Sequence, residues 1–144
     1  MNQPLKAKQQ LKIQRAILQV EDKLVTAIQN ALDDTQSYGK LEESQFRNLL
    51  EVANTTESTE VIKNFLRYQV GRDEKWGRGK DSLAEKIISY IKSDIKEIAE
   101  KIAKTIPDDT ETEKPTNYIK LQLIRRYLGY GSRYLVYKRK GQSA

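Results

Sequence analysis

The chain has 144 residues, enough for one domain with a hydrophobic core of its own. It contains no cysteine and no histidine, which excludes disulfide bonds and removes the commonest general base and metal ligand. Charged residues make up 32 % of the chain and the net charge is +6, a balance that suits slender helices and polyanion-binding proteins. No apolar run approaches the roughly 18 residues of a membrane span, and no signal-peptide pattern is present, so we expect a soluble cytoplasmic protein that does not contact a membrane.

The first predicted helix spans about residues 5–32, where apolar residues recur every three or four positions. Two further helices are predicted over about residues 41–54 and 59–70, with Gly71 placed to end the third. The clearest helix begins at Ser82 and Glu85, which have capping-box spacing, and it ends at Pro107. Lysines and acidic residues alternate along its residues 92–104, a pattern typical of a solvent-exposed face.

The segment 107–115 is acidic and bracketed by prolines, so it is predicted to be an exposed loop. A last, basic helix is predicted over about residues 117–140, although residues 133–140 could also form a short strand. Residues 81–116 hold six basic and nine acidic residues, whereas residues 117–144 hold seven basic and no acidic ones. Together these patterns predict an all-α fold, a single-domain bundle of five or six helices.

No combination of residues with catalytic spacing occurs in the chain. Gly77 and Gly79 lie in WGRGK, but their spacing does not match a phosphate-binding P-loop. Pairs of acidic residues at 33–34, 42–43 and 108–109 fall at predicted helix ends or in the loop, where capping explains them. We therefore expect a protein that is not an enzyme and that has no metal site and no cofactor.

Basic and aromatic residues cluster in two places. The corner formed by residues 65–80 carries five basic residues and the only tryptophan, and the C-terminal segment interleaves arginines with tyrosines. Cations beside aromatic rings are typical of proteins that bind single-stranded RNA, since bases stack on rings while phosphates meet guanidinium groups. The candidate RNA-binding residues are therefore Arg67, Arg72, Lys75, Trp76, Arg78, Arg125, Arg126 and Arg133. Trp76 could equally plug the end of the bundle, and Tyr90 and Tyr127 are expected to pack at the edge of the core.

Three segments resemble, in order, the small subunit of type III CRISPR effector complexes, in particular that of type III-A. They are LEESQFRNLLEVA (41–53), NFLRYQVGRDE (64–74) and YIKLQLIRRYLGYGSRYLVYKRKG (118–141). The resemblance implies a non-catalytic protein that stacks in several copies in an antiviral ribonucleoprotein, beside an RNA-binding backbone subunit and a large polymerase-like subunit. Its basic face would follow the guide and target RNA. The resemblance adds Arg47 to the candidate residues and includes Arg72, Arg125 and Arg126.

Two other functions remain open at this point. A helical protein–protein adaptor would use the apolar stripe of the first helix and the basic end of the chain to bind an acidic partner. A DNA-binding protein ranks third, because residues 41–71 could imitate a helix-turn-helix motif. The RNA hypothesis requires the two basic patches to lie on one side of the bundle, and Arg72 and Arg126 test this requirement.

Overall fold

The computed structural model describes residues 4–107 and 114–141. Six α-helices follow one another along the chain: α1 (Ala7–Asp33), α2 (Glu43–Thr55), α3 (Thr59–Arg72), α4 (Leu83–Tyr90), α5 (Lys96–Thr105) and α6 (Thr116–Val136). A π-helical turn (Ile91–Ile95) joins α4 to α5 without a break, and a second one (Tyr137–Gly141) extends α6. These ranges contain no β-strand. The predicted all-α bundle of five or six helices is confirmed, and residues 133–140, for which a strand was also possible, are helical. Most of the predicted loop, residues 108–113, lies outside the described residues.

Helix α6 occupies the centre of the bundle, where it packs against α1, α2 and α5. Residues later in α6 contact residues later in α1. Arg126 bonds to Glu21, and two turns later the Tyr134 hydroxyl donates a hydrogen bond of 2.6 Å to Asp33. Helices α1 and α6 are therefore parallel, although they lie at opposite ends of the chain.

The contacts of α6 with α2 run in opposite directions along the two helices. Arg125 bonds to the carbonyl oxygen of Ala53 near the end of α2, whereas Lys140 forms an ion pair with Glu43 at its beginning. Helix α3 packs on α2 and α4, and α4 returns to α1, so that these helices surround α6. The bundle thus has one end formed by the last turns of α1, α3 and α6 together with the first turns of α2 and α4.

The apolar stripe predicted for the first helix is buried within the protein. Ile17, Leu24 and Ile28 are fully inaccessible to solvent and belong to a single contiguous core that reaches every helix. The adaptor hypothesis assumed that this stripe faces a partner, and that assumption is wrong because the stripe is used to bury α6.

Gly131 allows α6 to approach its neighbours closely. A Cβ atom at this position would lie 2.6 Å from Cζ of Phe46 on α2 and 2.7 Å from Cγ1 of Ile28 on α1. Both distances are shorter than carbon–carbon contacts in packed interiors. The two neighbours are core side chains, so the absence of a side chain at residue 131 sets the spacing of three helices.

Gly131→Ala should lower the free energy of unfolding by about 1–3 kcal/mol, because the added methyl group overpacks the core. Gly129 provides a matched control on the same helix, since a Cβ there would have nothing within 4 Å. Gly129→Ala should raise stability by about 0.5–1 kcal/mol through the lower entropy of the unfolded chain. Urea unfolding followed by circular dichroism measures both changes, and similar stability of the two variants would contradict this packing.

Candidate nucleic-acid interface

Trp76 is part of the core. Its side chain is fully buried, and its ring lies 5.4 Å from the ring of Phe46. The corner is docked on the loop after α1, where the Gly39 amide donates to the Lys75 carbonyl at 3.0 Å and Gly77 adopts a positive φ of 80°. This docking turns the indole inward. The prediction that Trp76 stacks on RNA is therefore wrong, and the alternative that it plugs the bundle end is correct.

The cations of the corner remain near the surface, but most of them have partners within the chain. Lys75 bonds to Glu42 at 2.8 Å, and this hydrogen bond is the main reason that the Lys75 pKa is raised. Arg78 donates to the Val70 carbonyl at 3.3 Å. Arg72 is exposed and lies over the Tyr68 ring, 5.7 Å from its centroid. Of these three, Arg72 is the one that forms no hydrogen bond or ion pair within the described residues.

Arg125 has a structural role that the sequence did not reveal. Its guanidinium group donates to the carbonyl oxygens of Ala53, at 2.8 Å, and Thr56, at 3.1 Å. These carbonyls lie at the C-terminal end of α2, where the last turn of a helix has no backbone donors of its own. The cation also complements the negative end of the helix dipole. Arg125 therefore stabilises the end of α2, and its contact with RNA stays a prediction.

The other cations of the C-terminal segment meet carboxylates from the first third of the chain. Arg126 is held between Glu21 and Gln14 of α1, and its side chain is 30 % exposed. Lys138 bonds to Asp33 at 3.0 Å, and the Tyr134 hydroxyl and this lysine together lower the Asp33 pKa. The strongest concentration of positive charge in the sequence is thus largely compensated within the fold.

Arg47 and Arg133, two of the candidate RNA-binding residues, are both exposed. Arg133 lies over the Tyr130 ring, 5.9 Å from its centroid. Arg47 lines a cleft of about 480 Å³ together with Lys40, Arg139 and Lys140, but Glu42 and Glu43 line the same cleft and reduce its formal charge to +2. The two glutamates occupy the beginning of α2 and weaken the attraction of this cleft for anions.

A second cleft, of about 310 Å³, has a clear excess of positive charge, and we name it the lysine cleft. Four lysines from four elements line it: Lys63 on α3, Lys92 on the π-helical turn, Lys96 on α5 and Lys120 on α6. The described lining residues include one acidic side chain, Glu60, together with Thr59 and Ile91. The cleft therefore carries a formal charge of +3.

Glu60, the acidic residue that lines this cleft, forms an ion pair with Lys63. Its pKa is lowered, chiefly by a hydrogen bond from Lys63 and further by the charges of Lys63, Arg67 and Lys92. Within the described residues, Lys92, Lys96 and Lys120 form no ion pair, so their charges repel one another, and a cleft of one sign attracts ions of the other. Thr59 also places the positive end of the α3 dipole at the cleft. An anionic ligand would relieve this repulsion.

The lysine cleft could not be predicted from the sequence, because its four lysines come from separate helical segments. Lys92 and Lys96 belong to a segment whose alternating charges predicted an ordinary exposed face, and Lys63 and Lys120 are distant from them in the chain. The four-residue spacing of Lys92 and Lys96 was the one available signal, since it places both on one side of a helix. None of the nine predicted residues lines this cleft. The charge of one of them, Arg67, contributes to the lowered pKa of Glu60.

Arg72 and Arg126, the two residues that test whether the basic patches share one side, have different surroundings in the fold. Arg72 ends α3, which packs on α2 and α4, whereas Arg126 lies at the seam between α1 and α6. The corner and the end of α6 do meet at one end of the bundle, where Lys75 and Lys140 pair with adjacent glutamates of α2. These contacts therefore join the corner to the end of the C-terminal segment, but they do not place Arg126 on the same surface.

No family model, curated protein or solved structure matches this chain, so the resemblance to the CRISPR small subunit stays a prediction. Within residues 4–107 and 114–141, no helix is long and apolar enough to cross a membrane. The same residues contain no group of three or more acidic side chains arranged to hold a metal ion.

Arg125→Ala should lower the free energy of unfolding by about 2 kcal/mol, because the end of α2 loses two charge-assisted hydrogen bonds. Arg133→Ala, a control that removes the same charge from an exposed site on the same helix, should change it by less than about 0.5 kcal/mol. Under conditions where both variants are folded, Arg125→Ala should bind single-stranded RNA as the parent protein does. Unchanged stability together with weakened RNA binding would restore Arg125 to the RNA interface.

Proposed function

We propose that this protein is a non-catalytic RNA-binding subunit of a ribonucleoprotein and that the lysine cleft holds phosphates of the RNA. The observation that carries the proposal is the convergence of Lys63, Lys92, Lys96 and Lys120 around one cleft beside a single glutamate. Counterions released when such a cluster meets a phosphate backbone supply most of the affinity of non-specific RNA binding.

The lining of the cleft favours phosphate contacts over recognition of bases. A lysine ammonium group is a compact point charge, whereas bidentate and stacking contacts require the planar guanidinium of arginine. The described lining residues also include no aromatic ring. Contacts with phosphates fix the position of a strand and carry no sequence information. The proposed role is thus to position RNA independently of its sequence.

A place in a type III CRISPR effector is the specific form of this proposal. It rests on the three segments that resemble the small subunit, on the helical bundle and on the exposed Arg47 and Arg72. In that setting the guide and target RNA and the other effector subunits would be the partners, and the complex would be cytoplasmic. Purification from native cells, scored for co-purifying guide RNA, separates this form from an adaptor whose acidic protein partner occupies the same cleft.

The double variant Lys92→Gln/Lys96→Gln should weaken binding of a single-stranded RNA oligonucleotide. If both lysines contact phosphates, the slope of log K against log salt should become shallower by about 1.4, since each contact to a single strand contributes roughly 0.7. Filter binding over a series of salt concentrations measures this slope.

The matched control is Lys12→Gln/Lys23→Gln, which removes the same charge from exposed positions on α1, a helix that does not line the cleft. This control should retain the salt slope of the parent protein. Equal effects of the two double variants would show that net charge, and not the lysine cleft, governs binding, and the proposed function would lose its support.

A further inference from the structure

An unpaired apolar row runs along the outer side of α1. Leu11 and Leu18 are 52 % and 57 % exposed, and Val25 continues the row with partial exposure. The three residues are seven positions apart, so they recur every second turn on one side of the helix. Single exposed leucines are common on protein surfaces. A row with heptad spacing on a rigid helix is typical of a helix that pairs with another helix.

Two unpaired charges flank the centre of this row. Arg15 and Asp22 are exposed, one three positions before Leu18 and the other four positions after it. Within the described residues neither forms an ion pair, whereas Glu21 and Gln14 at the edge of the row are occupied by Arg126. Arg15 and Asp22 lie at nearly equal distances on the two sides of Leu18. When a second copy of α1 is turned end to end, its carboxylate meets this cation, so the surface can pair with a copy of itself.

We propose that α1 pairs with α1 of a second copy of this chain, in antiparallel orientation about a two-fold axis at Leu18. Leu18 then meets the partner's Leu18, and Leu11 meets the partner's Val25. Arg15 faces the partner's Asp22, and the symmetry repeats this ion pair on the other side. The arrangement is closed, so it joins two copies and does not generate a filament.

The charges select the antiparallel orientation. In a parallel pair the two-fold axis runs along the helices, so the partner's Arg15 and Asp22 lie on the opposite side of the apolar row and neither charge gains a partner. The antiparallel pair places opposite charges side by side, which favours that orientation. Three apolar residues per chain bury only a small area, so we expect the dimer to be weak and reversible. This inference does not depend on the proposed RNA binding, because the lysine cleft lies on other helices.

Cysteine cross-linking tests the symmetry directly, because the natural chain contains no cysteine. Under mild oxidation Leu18→Cys should form a disulfide-linked dimer. Leu11→Cys should not, since fourteen residues separate the two equivalent positions along the antiparallel pair, a distance of about 21 Å. A mixture of Leu11→Cys and Val25→Cys should cross-link between the two variants. Equal cross-linking of Leu11→Cys and Leu18→Cys, or none by any variant, would overturn the proposal.

Charge exchange gives a second readout in solution. Arg15→Glu and Asp22→Arg should each raise the dimer dissociation constant by about tenfold or more in sedimentation equilibrium at low salt, because each creates two like-charge pairs. The combined variant Arg15→Glu/Asp22→Arg should recover the parent constant, since opposite charges face each other again. Failure of the combined variant to recover, or a dissociation constant that neither single variant changes, would reject the antiparallel pair.

Discussion

The burial of α6 among α1, α2 and α5 is the constraint on which the rest of the structure depends. This helix belongs to the most basic segment of the chain, and its apolar side fills the centre of the bundle where Gly131 lets three helices approach. Its cations therefore emerge beside the neighbouring helices. Arg125 caps α2, and Arg126 pairs with Glu21 of α1. The contacts that position the helix thus pair most of the cations of the C-terminal segment with groups inside the protein. These are the cations that made the segment resemble an RNA-binding surface.

The cleft with the largest excess of lysines is consequently formed in part by a segment that is acidic overall. Lys92 and Lys96 come from a segment with more acidic than basic residues, but none of the described acidic side chains of that segment lines the cleft. The continuous helical run through the π-turn carries these lysines to the cleft, where Lys63 and Lys120 join them. A π-turn within a helix is frequently found at functional sites. The distribution of charge on a folded surface thus depends on which helices are neighbours, and net charge along the chain does not determine it.

Local features of the fold were predictable from the sequence, because they depend on residues a few positions apart. The Ser82 hydroxyl does accept from the Glu85 amide, and Ile17, Leu24 and Ile28 are the buried side of the first helix. Features that depend on contacts between distant segments were not predictable. The burial of Trp76 requires the loop at Gly39 to dock on the corner, and the lysine cleft requires α3, α5 and α6 to converge. None of the nine residues predicted from the sequence lines the lysine cleft, so the candidate site was not identified from the sequence.

We propose that the lysine cleft is the surface that receives an anionic strand. An amide NMR titration with a single-stranded RNA oligonucleotide would map this contact without changing the protein. We expect the largest shifts at residues 59–63, 91–96 and 120, and we expect them to diminish as salt is added. Shifts confined to residues 40–47 and 133–141, or no shifts at low salt, would contradict the proposal.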